Sequence, residues 1–380
     1  MNHNAVIIGA GPVGLFLGLR LHQLGYSFKI LEEKDTVDMH SRAIGIHPPS
    51  MERLHLLGIA DRISELAVHV ETADVYIDKK KISTLSFLQC KKPFNFITVI
   101  PQSMTEKALE EELVARCPGC VDRGIKGFDF KTGAEKVTVN VLKSSGKNES
   151  VTSDFLLACD GKNSSIRESL GIQIHGKYYK DCYIMGDFRD DTVIGSKAII
   201  FLSRHGVVES FPLPGKKRRW VIKTEHFDPD PKPASITGFI SERTGYQVES
   251  ESATMASGFR TQGLIAEKLA KGRIILAGDA AHVTSPIGGQ GMNMGWLNAW
   301  RLAEVVDHCL KNRRYDESAV LQYEKEAKAA AKRVIKRAEF NMFLGRKCRY
   351  QTLRRLVVQF MTDTPIRSVF ARNFTMRRIT

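Results

Sequence analysis

The chain of 380 residues is 43% hydrophobic and 26% charged, which is typical of soluble globular proteins. It has no apolar run near the ~20 residues of a membrane-spanning helix, and no signal peptide is predicted. Seven scattered cysteines predict free thiols and a cytoplasmic location rather than a disulfide framework. The formal net charge is +14 without any nucleic-acid-binding motif, so we expect an anionic cofactor, an anionic substrate or a membrane surface as the partner.

The N-terminal residues match the βαβ fingerprint of a dinucleotide-binding fold. A β-rich run, Ala5–Ile8, leads into the turn GAGPVG, a helix that ends at Gly25 and a second strand that ends on Glu32. The glycines permit a tight turn and the close approach of a pyrophosphate to the helix N-terminus, and an acid about 20 residues on contacts a ribose hydroxyl. We therefore predict a bound adenine dinucleotide, with Glu33 as the alternative ribose contact.

Two helices and a short β excursion follow this unit. Helices are expected over Pro49–Leu57 and Met104–Arg116, and the alternation of β-branched and polar residues from Asp74 to Ser86 predicts strands. Arg42 lies just after the second strand, where it is either a solvated arginine or a contact to the cofactor phosphates.

A second nucleotide-facing element begins at the strand Phe155–Cys159. The turn Asp160-Gly161 comes next, and a serine-capped helix containing Arg167 starts directly after it. From Ile172 to Phe259 the pattern is that of antiparallel strands, interrupted by one helix over Ala234–Thr244. We predict that this sheet is inserted between halves of the nucleotide domain and roofs a pocket over the cofactor.

A third element combines a short apolar strand, the pair Gly278-Asp279 and a loop rich in proline and glycine. The loop contains Pro286 and the glycines that precede a long helix, Gly295–Leu310. Such a strand–loop–helix unit presents backbone N–H groups and a positive helix end to an anionic group. His282 lies in this element, and we expect it to support the packing of the loop rather than the chemistry.

In order and spacing, these three elements resemble the single-component FAD-dependent aromatic hydroxylases, the p-hydroxybenzoate hydroxylase-like flavoprotein monooxygenases. The resemblance covers residues 4–325. The FAD contacts that it implies are made by Gly9, Gly11, Pro12, Val13, Gly14, Glu32, Glu33, Arg42, Gln102, Asp160, Gly161, Gly278, Asp279, Pro286, Gly289, Gln290, Gly291, Met292 and Asn293. By this resemblance the pyrophosphate binds at the first glycines, the ribityl chain at Asp279, and the flavin ring at the last glycines, with Pro286 on its reaction side.

The implied fold is α/β, with a Rossmann-like, GR2-type FAD-binding domain that carries an inserted, mostly antiparallel substrate sheet and C-terminal helices. The FAD-binding parts are residues 1–73, 98–172 and 263–325, the sheet takes residues 74–97 and 173–262, and a basic helical tail takes residues 326–380. The tail is either a terminal helix packed on the core with a solvated basic face or an amphipathic helix that lies on a membrane surface.

The resemblance implies hydroxylation of an aromatic phenol, quinone or polyketide-like molecule through a C4a-hydroperoxyflavin, with O2 and with NADPH or NADH as a transient co-substrate. No metal site and no catalytic base are predicted. Candidate substrate contacts on the inserted sheet are Tyr183, His205, Phe211, Pro212, Trp220 and Phe259. The alternatives are an FAD-dependent epoxidase, a Baeyer–Villiger-type oxygenase or a reductase acting on a polyketide, quinone or isoprenoid. A more distant alternative is a non-catalytic module of the same fold that binds prenylated proteins.

Overall fold

The computed structural model describes residues 2–36, 43–88, 90–144, 146–363 and 374–377. The strands are β1 (Asn2–Ile8), β2 (Phe28–Leu31), β3 (Gly45–Ile46), β4 (Val68–Val70), β5 (Thr72–Ile77), β6 (Lys80–Ser86), β7 (Ile97–Val99), β8 (Val121–Asp122), β9 (Ile125–Thr132), β10 (Val137–Lys143), β11 (Asn148–Ala158), β12 (Ile174–Arg189), β13 (Ala198–Ser203), β14 (Gly206–Leu213), β15 (Lys217–Thr224), β16 (Met255–Ala266), β17 (Ala270–Lys271), β18 (Ile274–Leu276) and β19 (His282–Val283). The α-helices are α1 (Pro12–Gln23), α2 (Pro48–Leu56), α3 (Ala60–Glu65), α4 (Gln102–Arg116), α5 (Ser165–Ser169), α6 (Pro233–Thr244), α7 (Gly291–Lys311), α8 (Glu317–Gly345) and α9 (Gln351–Asp363).

The first sheet is the nucleotide-binding layer. Its strands run in the order β17-β18-β11-β1-β2-β8, and β10 and β9 extend it from β11. The pairs β18–β11, β11–β1, β1–β2 and β2–β8 are parallel, so their carboxyl ends meet at one edge. The apolar residues of β1 from Ala5 to Ile8 are fully buried, as in a strand covered on both faces.

Two helices start at this edge and pack against each other. The ring of Trp296 on α7 stacks on Phe16 of α1 with centroids 5.7 Å apart, and its Nε1 donates to the carbonyl of Pro12 at 2.8 Å. Gly295 permits this contact, because a Cβ there would lie 2.7 Å from Cγ2 of Val13. The N-termini of α1 and α7 are therefore held side by side.

The second sheet is the inserted one, with strands in the order β19-β16-β12-β15-β14-β13-β5-β6. Its pairs are antiparallel except β13–β5. One face packs against α6, where Phe188 and Trp220 meet Ile236. The opposite face carries Tyr183 and Met185 and turns toward the nucleotide-binding layer. The predicted α/β fold with an inserted, mostly antiparallel sheet is confirmed.

A small antiparallel sheet, in the order β3-β7-β4, contacts β14 of the second sheet. After α8, the chain forms α9, which packs on β6. Val358 is buried on this side, and Arg354, also buried, donates to the carbonyl of Ser203 at 3.0 Å. The exposed side of α9 is partly apolar rather than uniformly basic, with Leu356 and Phe360 each 60% exposed.

The last described residues return to the body of the protein. Phe374 stacks on Phe87 with ring centroids 5.6 Å apart, and Met376 is fully buried against Met294 and Val334. Within the described ranges, no helix combines the length and the hydropathy needed to cross a membrane.

Candidate active site

A cavity of about 920 Å³ lies between the two large sheets. The parallel strands β1, β2, β11 and β18 all end at it, since Gly9, Glu32, Asp160 and Gly278 belong to its lining. Ligands of open α/β sheets bind at the carboxyl ends of the strands, where loops and helix N-termini converge. The cavity therefore occupies the place where a nucleotide is expected.

Most of the residues that the sequence assigns to FAD are brought together here. The predicted residues that line the cavity are Gly9, Gly11, Pro12, Val13, Glu32, Glu33, Gln102, Asp160, Gly161, Gly278, Asp279, Pro286, Gly289, Gly291 and Met292. Gly14, Gln290 and Asn293 lie outside the lining, and Arg42 lies outside the described residues.

The glycine-rich turn is shaped by close backbone contacts on one side and open space on the other. Gly9 has a φ of +103°, and a Cβ there would lie 2.4 Å from the carbonyl oxygen of Cys159. A Cβ on Gly14 would lie 2.0 Å from the carbonyl oxygen of Gly9. A Cβ on Gly11 would meet no protein atom within 4 Å, because this residue faces the cavity. The turn thus leaves room for a ligand at the N-terminus of α1, where a phosphate is favoured.

The carboxylate of Glu32 supports the same turn. Its Oε2 accepts a hydrogen bond from the N–H of Ala10 at 2.6 Å, and its Oε1 accepts one from the N–H of Lys34 at 3.0 Å. Each carboxylate oxygen can accept a second bond. A ribose hydroxyl can therefore be bound without breaking these contacts, and the ribose contact stays a prediction.

Asp160 presents an unsatisfied oxygen. Its Oδ2 accepts from the N–H of Ile166 at 3.2 Å, whereas its Oδ1 is buried without a hydrogen-bond partner in the described part of the chain. Arg167 donates to the carbonyls of Ala280 at 3.1 Å and Lys162 at 3.1 Å, which ties this turn to the Gly278-Asp279 element. A buried carboxylate oxygen normally finds a donor, so a ligand hydroxyl is expected there.

Asn293 stands behind the cavity wall rather than in it. Its side chain accepts from the N–H of His47 at 2.8 Å and donates to the carbonyls of Gly45 and Gly289, each at 2.8 Å. Asn293 thus links β3, α2 and the glycine loop. The oxygen atoms Oγ1 of Thr284 and Oε1 of Gln290 are buried in the same region with no described partner.

Two histidines lie near this loop and differ in access to the cavity. His47 belongs to the lining, its Nε2 lies 3.2 Å from the carbonyl of Gly288, and burial lowers its pKa to about 4. His282 does not belong to the lining; its Nε2 pairs with Asn298 at 2.9 Å, and burial lowers its pKa to about 4 as well. Both rings are neutral near pH 7. The sequence did not single out His47, which follows a strand too short to recognise by its pattern.

The inserted sheet supplies an apolar wall to the cavity. The wall side chains are Met185, Ile200, Phe211, Val221 and Phe259. Among the charged residues that line the cavity from this sheet are Arg219 and Glu209. Arg219 forms a buried pair with Asp187, with Nε–Oδ1 at 2.6 Å and Nη2–Oδ2 at 2.7 Å. Burial raises the pKa of Glu209 to about 7.

Of the substrate contacts expected from the sequence, only Phe211 and Phe259 belong to this wall among the described residues. Tyr183 lies next to Phe259, with the rings stacked at 5.4 Å. Trp220 points to the opposite face of the sheet and packs near Tyr246, with centroids 6.0 Å apart. Pro212 and His205 also lie outside the lining. Direct contact with a ligand in the cavity is therefore not supported for these four residues.

The chain was compared with known proteins. Residues 2–338 match a family model described as an FAD binding domain. The chain is 29% identical over 320 residues to the 6-methylpretetramide 4-monooxygenase of Streptomyces rimosus, covering 79% of this chain and 56% of that protein. It is 29% identical over 316 residues to the uncharacterized aromatic compound monooxygenase YhjG of Bacillus subtilis, covering 80% of this chain and 62% of that protein.

Among solved structures, p-nitrophenol 4-monooxygenase PnpA from Pseudomonas putida DLL-E4 matches with a TM-score of 0.86 at 21% identity, covering 99% of this chain and 97% of that one. The chain shares this fold. It spans about three fifths of the length of the two curated relatives it matches.

Proposed function

Because this chain belongs to the FAD binding domain family, we propose that it is a monooxygenase that uses NAD(P)H and O2 to hydroxylate an aromatic small molecule. The observation that carries the proposal is the continuity of one cavity. The dinucleotide end, at Gly11 and Glu32, and the apolar sheet wall, at Phe211 and Val221, line the same space. A ring bound at the wall is thereby brought to the flavin end of the cofactor.

FAD is the cofactor of this family, and the described residues fit it. Gly11 leaves open space at the start of α1, Oδ1 of Asp160 has no donor among the described residues, and Gly291 and Met292 at the start of α7 line the same cavity. When bound, FAD would provide the group that accepts electrons from the nicotinamide and activates O2. The remaining work belongs to the side chains and the backbone of this protein.

The start of α7 is suited to stabilising negative charge on the ring. The first N–H groups of a helix have no intrahelical partner, and the helix dipole adds positive potential at this end. Gly289 and Gly291 carry no side chain that would keep a flat ring away. Preorganised donors in a site that excludes water act strongly on developing charge, so this helix end would favour the reduced flavin.

The apolar wall favours a substrate with an aromatic ring. Met185, Ile200, Phe211, Val221 and Phe259 offer no ion pair to a carboxylate-bearing molecule. The named relatives include an enzyme for an aromatic polyketide and an aromatic compound monooxygenase. A phenol, a quinone or a polyketide-like ring is therefore the substrate class that we favour, bound so that the wall orients the ring and excludes water.

The sequence holds one βαβ fingerprint, which is proposed to bind the FAD. NADPH or NADH is therefore proposed to bind only transiently, beside the turn Asp160-Gly161.

The test is oxidation of NADPH and of NADH by the purified yellow protein against phenols, quinones and polyketides. The proposal expects substrate-stimulated oxidation and a product that gains one oxygen atom from 18O-labelled O2. Turnover that needs no O2 would favour a reductase, and a product with an epoxide or an inserted ester oxygen would favour the other oxygenase classes. A preparation that binds no FAD would contradict the proposal and favour the non-catalytic prenyl-protein-binding module.

We also propose that the protein is cytoplasmic and that its C-terminal region contacts a membrane surface. The helix α9 exposes Leu353, Leu356 and Phe360 together with Arg355, and the exposed Arg349 lies just before it. Apolar residues flanked by arginine suit an anionic lipid surface. Co-sedimentation with phosphatidylglycerol vesicles, but not with phosphatidylcholine vesicles, is expected. The double variant L356S/F360S should stay in the supernatant, and equal sedimentation of both proteins would contradict the contact.

A further inference from the structure

The side chain of Glu209 lies in the apolar wall of the cavity. Along β14, Val207, Glu209 and Phe211 point to the cavity face, whereas Val208 points to the face under α6. In the sheet, Glu209 is paired with Ile200 of β13 on one side and with Val221 of β15 on the other. Both neighbours line the cavity. The carboxyl group is therefore placed in the middle of a hydrophobic row.

Nothing in the described chain offsets the charge of this carboxyl group. Neither a hydrogen bond nor an ion pair of its side chain occurs among the described residues. The nearby arginine, Arg219, is held in a two-bond pair by Asp187. Glu209 is partly buried, and a carboxylate held on an apolar surface without a protein partner does not stabilise a fold. Stability therefore does not explain why the wall contains a glutamate, whereas a polar ligand group in the cavity does.

Resting on the function proposed above, we propose that Glu209 binds a hydroxyl group of the aromatic substrate and accepts its proton. The O–H bond of the substrate breaks, an O–H bond forms on the carboxylate, and the electron pair stays on the substrate oxygen. A ring that carries this oxygen anion is more electron-rich and is a better acceptor of an electrophilic oxygen atom. The substrate is thereby defined as a hydroxyl-bearing aromatic molecule whose hydroxyl group is directed at the inserted sheet.

The pKa values of the neighbouring Tyr183 and His47 are shifted away from neutral pH, whereas the pKa of Glu209 is shifted toward it. Tyr183 on β12 has its pKa raised above its usual range by burial and, secondarily, by Glu209 itself. His47, across the cavity, has its pKa lowered to about 4 by burial. Arg219 and Asp187 are joined to each other by two hydrogen bonds. Burial raises the pKa of Glu209 to about 7, which suits a general base at that pH.

The first test measures binding to the FAD-loaded protein through the change in flavin absorbance. The probes are 2-naphthol and 4-methylphenol, each compared with its methyl ether, which has the same ring and no proton to donate. At pH 8 the wild-type protein should bind each phenol at least about tenfold more tightly than its ether, as expected for a hydrogen bond to a charged acceptor. In Glu209→Gln this preference should fall to a few-fold at most. A purely structural role would weaken phenol and ether alike.

The second test measures kcat/KM for hydroxylation of 2-naphthol as a function of pH. The wild-type value should rise as the pH increases through about 7. Glu209→Gln should lower it about 10²- to 10⁴-fold and remove the inflection, because general-base catalysis contributes a factor of that order. Glu209→Asp should restore part of the rate and of the inflection. The matched control is Glu149→Gln, a strand glutamate paired with Lys143 far from the cavity lining, which should leave both measurements unchanged.

The two proposals fail in different ways. Equal binding of phenols and ethers by the wild-type protein, or failure to bind either phenol, would overturn the assignment of Glu209 whatever the turnover. Unchanged kcat/KM and pH dependence in Glu209→Gln would also overturn it. Selective phenol binding that is lost in Glu209→Gln, without incorporation of oxygen, would retain the hydroxyl site and reject the monooxygenase.

Discussion

The side-chain oxygen of Asn293 accepts a hydrogen bond from the backbone N–H of His47 at 2.8 Å. The two residues are 246 positions apart, and the bond joins the first turn of α7 to the start of α2. Because the same side chain donates to Gly45 and Gly289, one buried amide sets the spacing of the two sides of the cavity at the start of α7.

Substitution of Asn293 should therefore damage both the fold and the site. Asn293→Ala removes the partner of one buried backbone N–H and of two partly buried carbonyl groups, and a buried group left unpaired costs about 1–3 kcal/mol. We expect a lower Tm for the FAD-free protein and weaker FAD binding, measured by thermal denaturation and by fluorescence titration. Asn312→Ala, at the exposed C-terminus of α7, is the control and should change neither. An unaltered Tm in Asn293→Ala would show that the amide is not needed.

Two glycines of the same turn should respond in opposite ways to a single added carbon. Gly11 has a φ of −75° and open space at the Cβ position, so Gly11→Ala should fold normally. It should bind FAD at least about tenfold more weakly, since the methyl group enters the space that the pyrophosphate needs. Gly14→Ala places a Cβ 2.0 Å from the carbonyl oxygen of Gly9 and should destabilise the FAD-free protein. Normal FAD affinity in Gly11→Ala would contradict the position assigned to the phosphates.

The pH dependence of stability should report the buried carboxyl group of Glu209. Its pKa is raised from 4.5 to about 7 in the folded protein, so the folded state binds the proton more tightly than the unfolded state. Stability is therefore lost as the pH rises from about 4.5 to above 7, by up to about 3 kcal/mol. Glu209→Gln should be more stable than the wild-type protein at pH 8 and should lose this advantage toward pH 4.5. Chemical denaturation of the FAD-free proteins at several pH values measures the difference, and parallel pH profiles would contradict it.

Phe374 should limit the size of the bound ring. It lines the cavity, stacks on Phe87 at 5.6 Å and lies edge-on to His47 at 6.4 Å. Phe374→Ala removes part of the wall, so we expect a raised KM for small phenols and acceptance of larger aromatic molecules. It should also lower stability, by less than the ~3–5 kcal/mol of a fully buried phenylalanine. Phe343→Ala, on a side chain that is 64% exposed, is the control. An unchanged substrate range would show that this side of the cavity does not contact substrate.

The cofactor half of the site could be predicted from the sequence because local patterns specify it. GAGPVG, Asp160-Gly161 and Gly278-Asp279 each combine a buried strand with a turn, and the parallel sheet brings their carboxyl ends together. Asn293, predicted as a cofactor contact, lies outside the cavity lining, and its side chain holds the glycine loop from behind. The contact of Glu32 with Ala10 could not be foreseen, since it depends on the curvature of the turn.

The substrate half could not be predicted because the inserted sheet is buried on both faces. Trp220 meets α6 and Val221 meets the cavity, yet both are apolar and neither reveals its side. The alternation of polar and apolar residues that identifies a half-exposed strand is therefore missing. In β14 the charged residue Glu209 was the available signal. The face of the sheet on which it lies can be assigned only once Phe211, two residues further on, is known to line the cavity.

Because Phe374 lies late in the chain, its side of the cavity is completed last during synthesis. The described cradle for the cofactor uses residues up to Asn293, and translation delivers them first. The side of the cavity that Phe374 covers is still missing when those residues have left the ribosome. A cavity formed by those residues alone would lack the side that Phe374 covers in the full chain. FAD uptake by purified chains that end before Phe374, compared with uptake by the full chain, would measure how much this side contributes to cofactor binding.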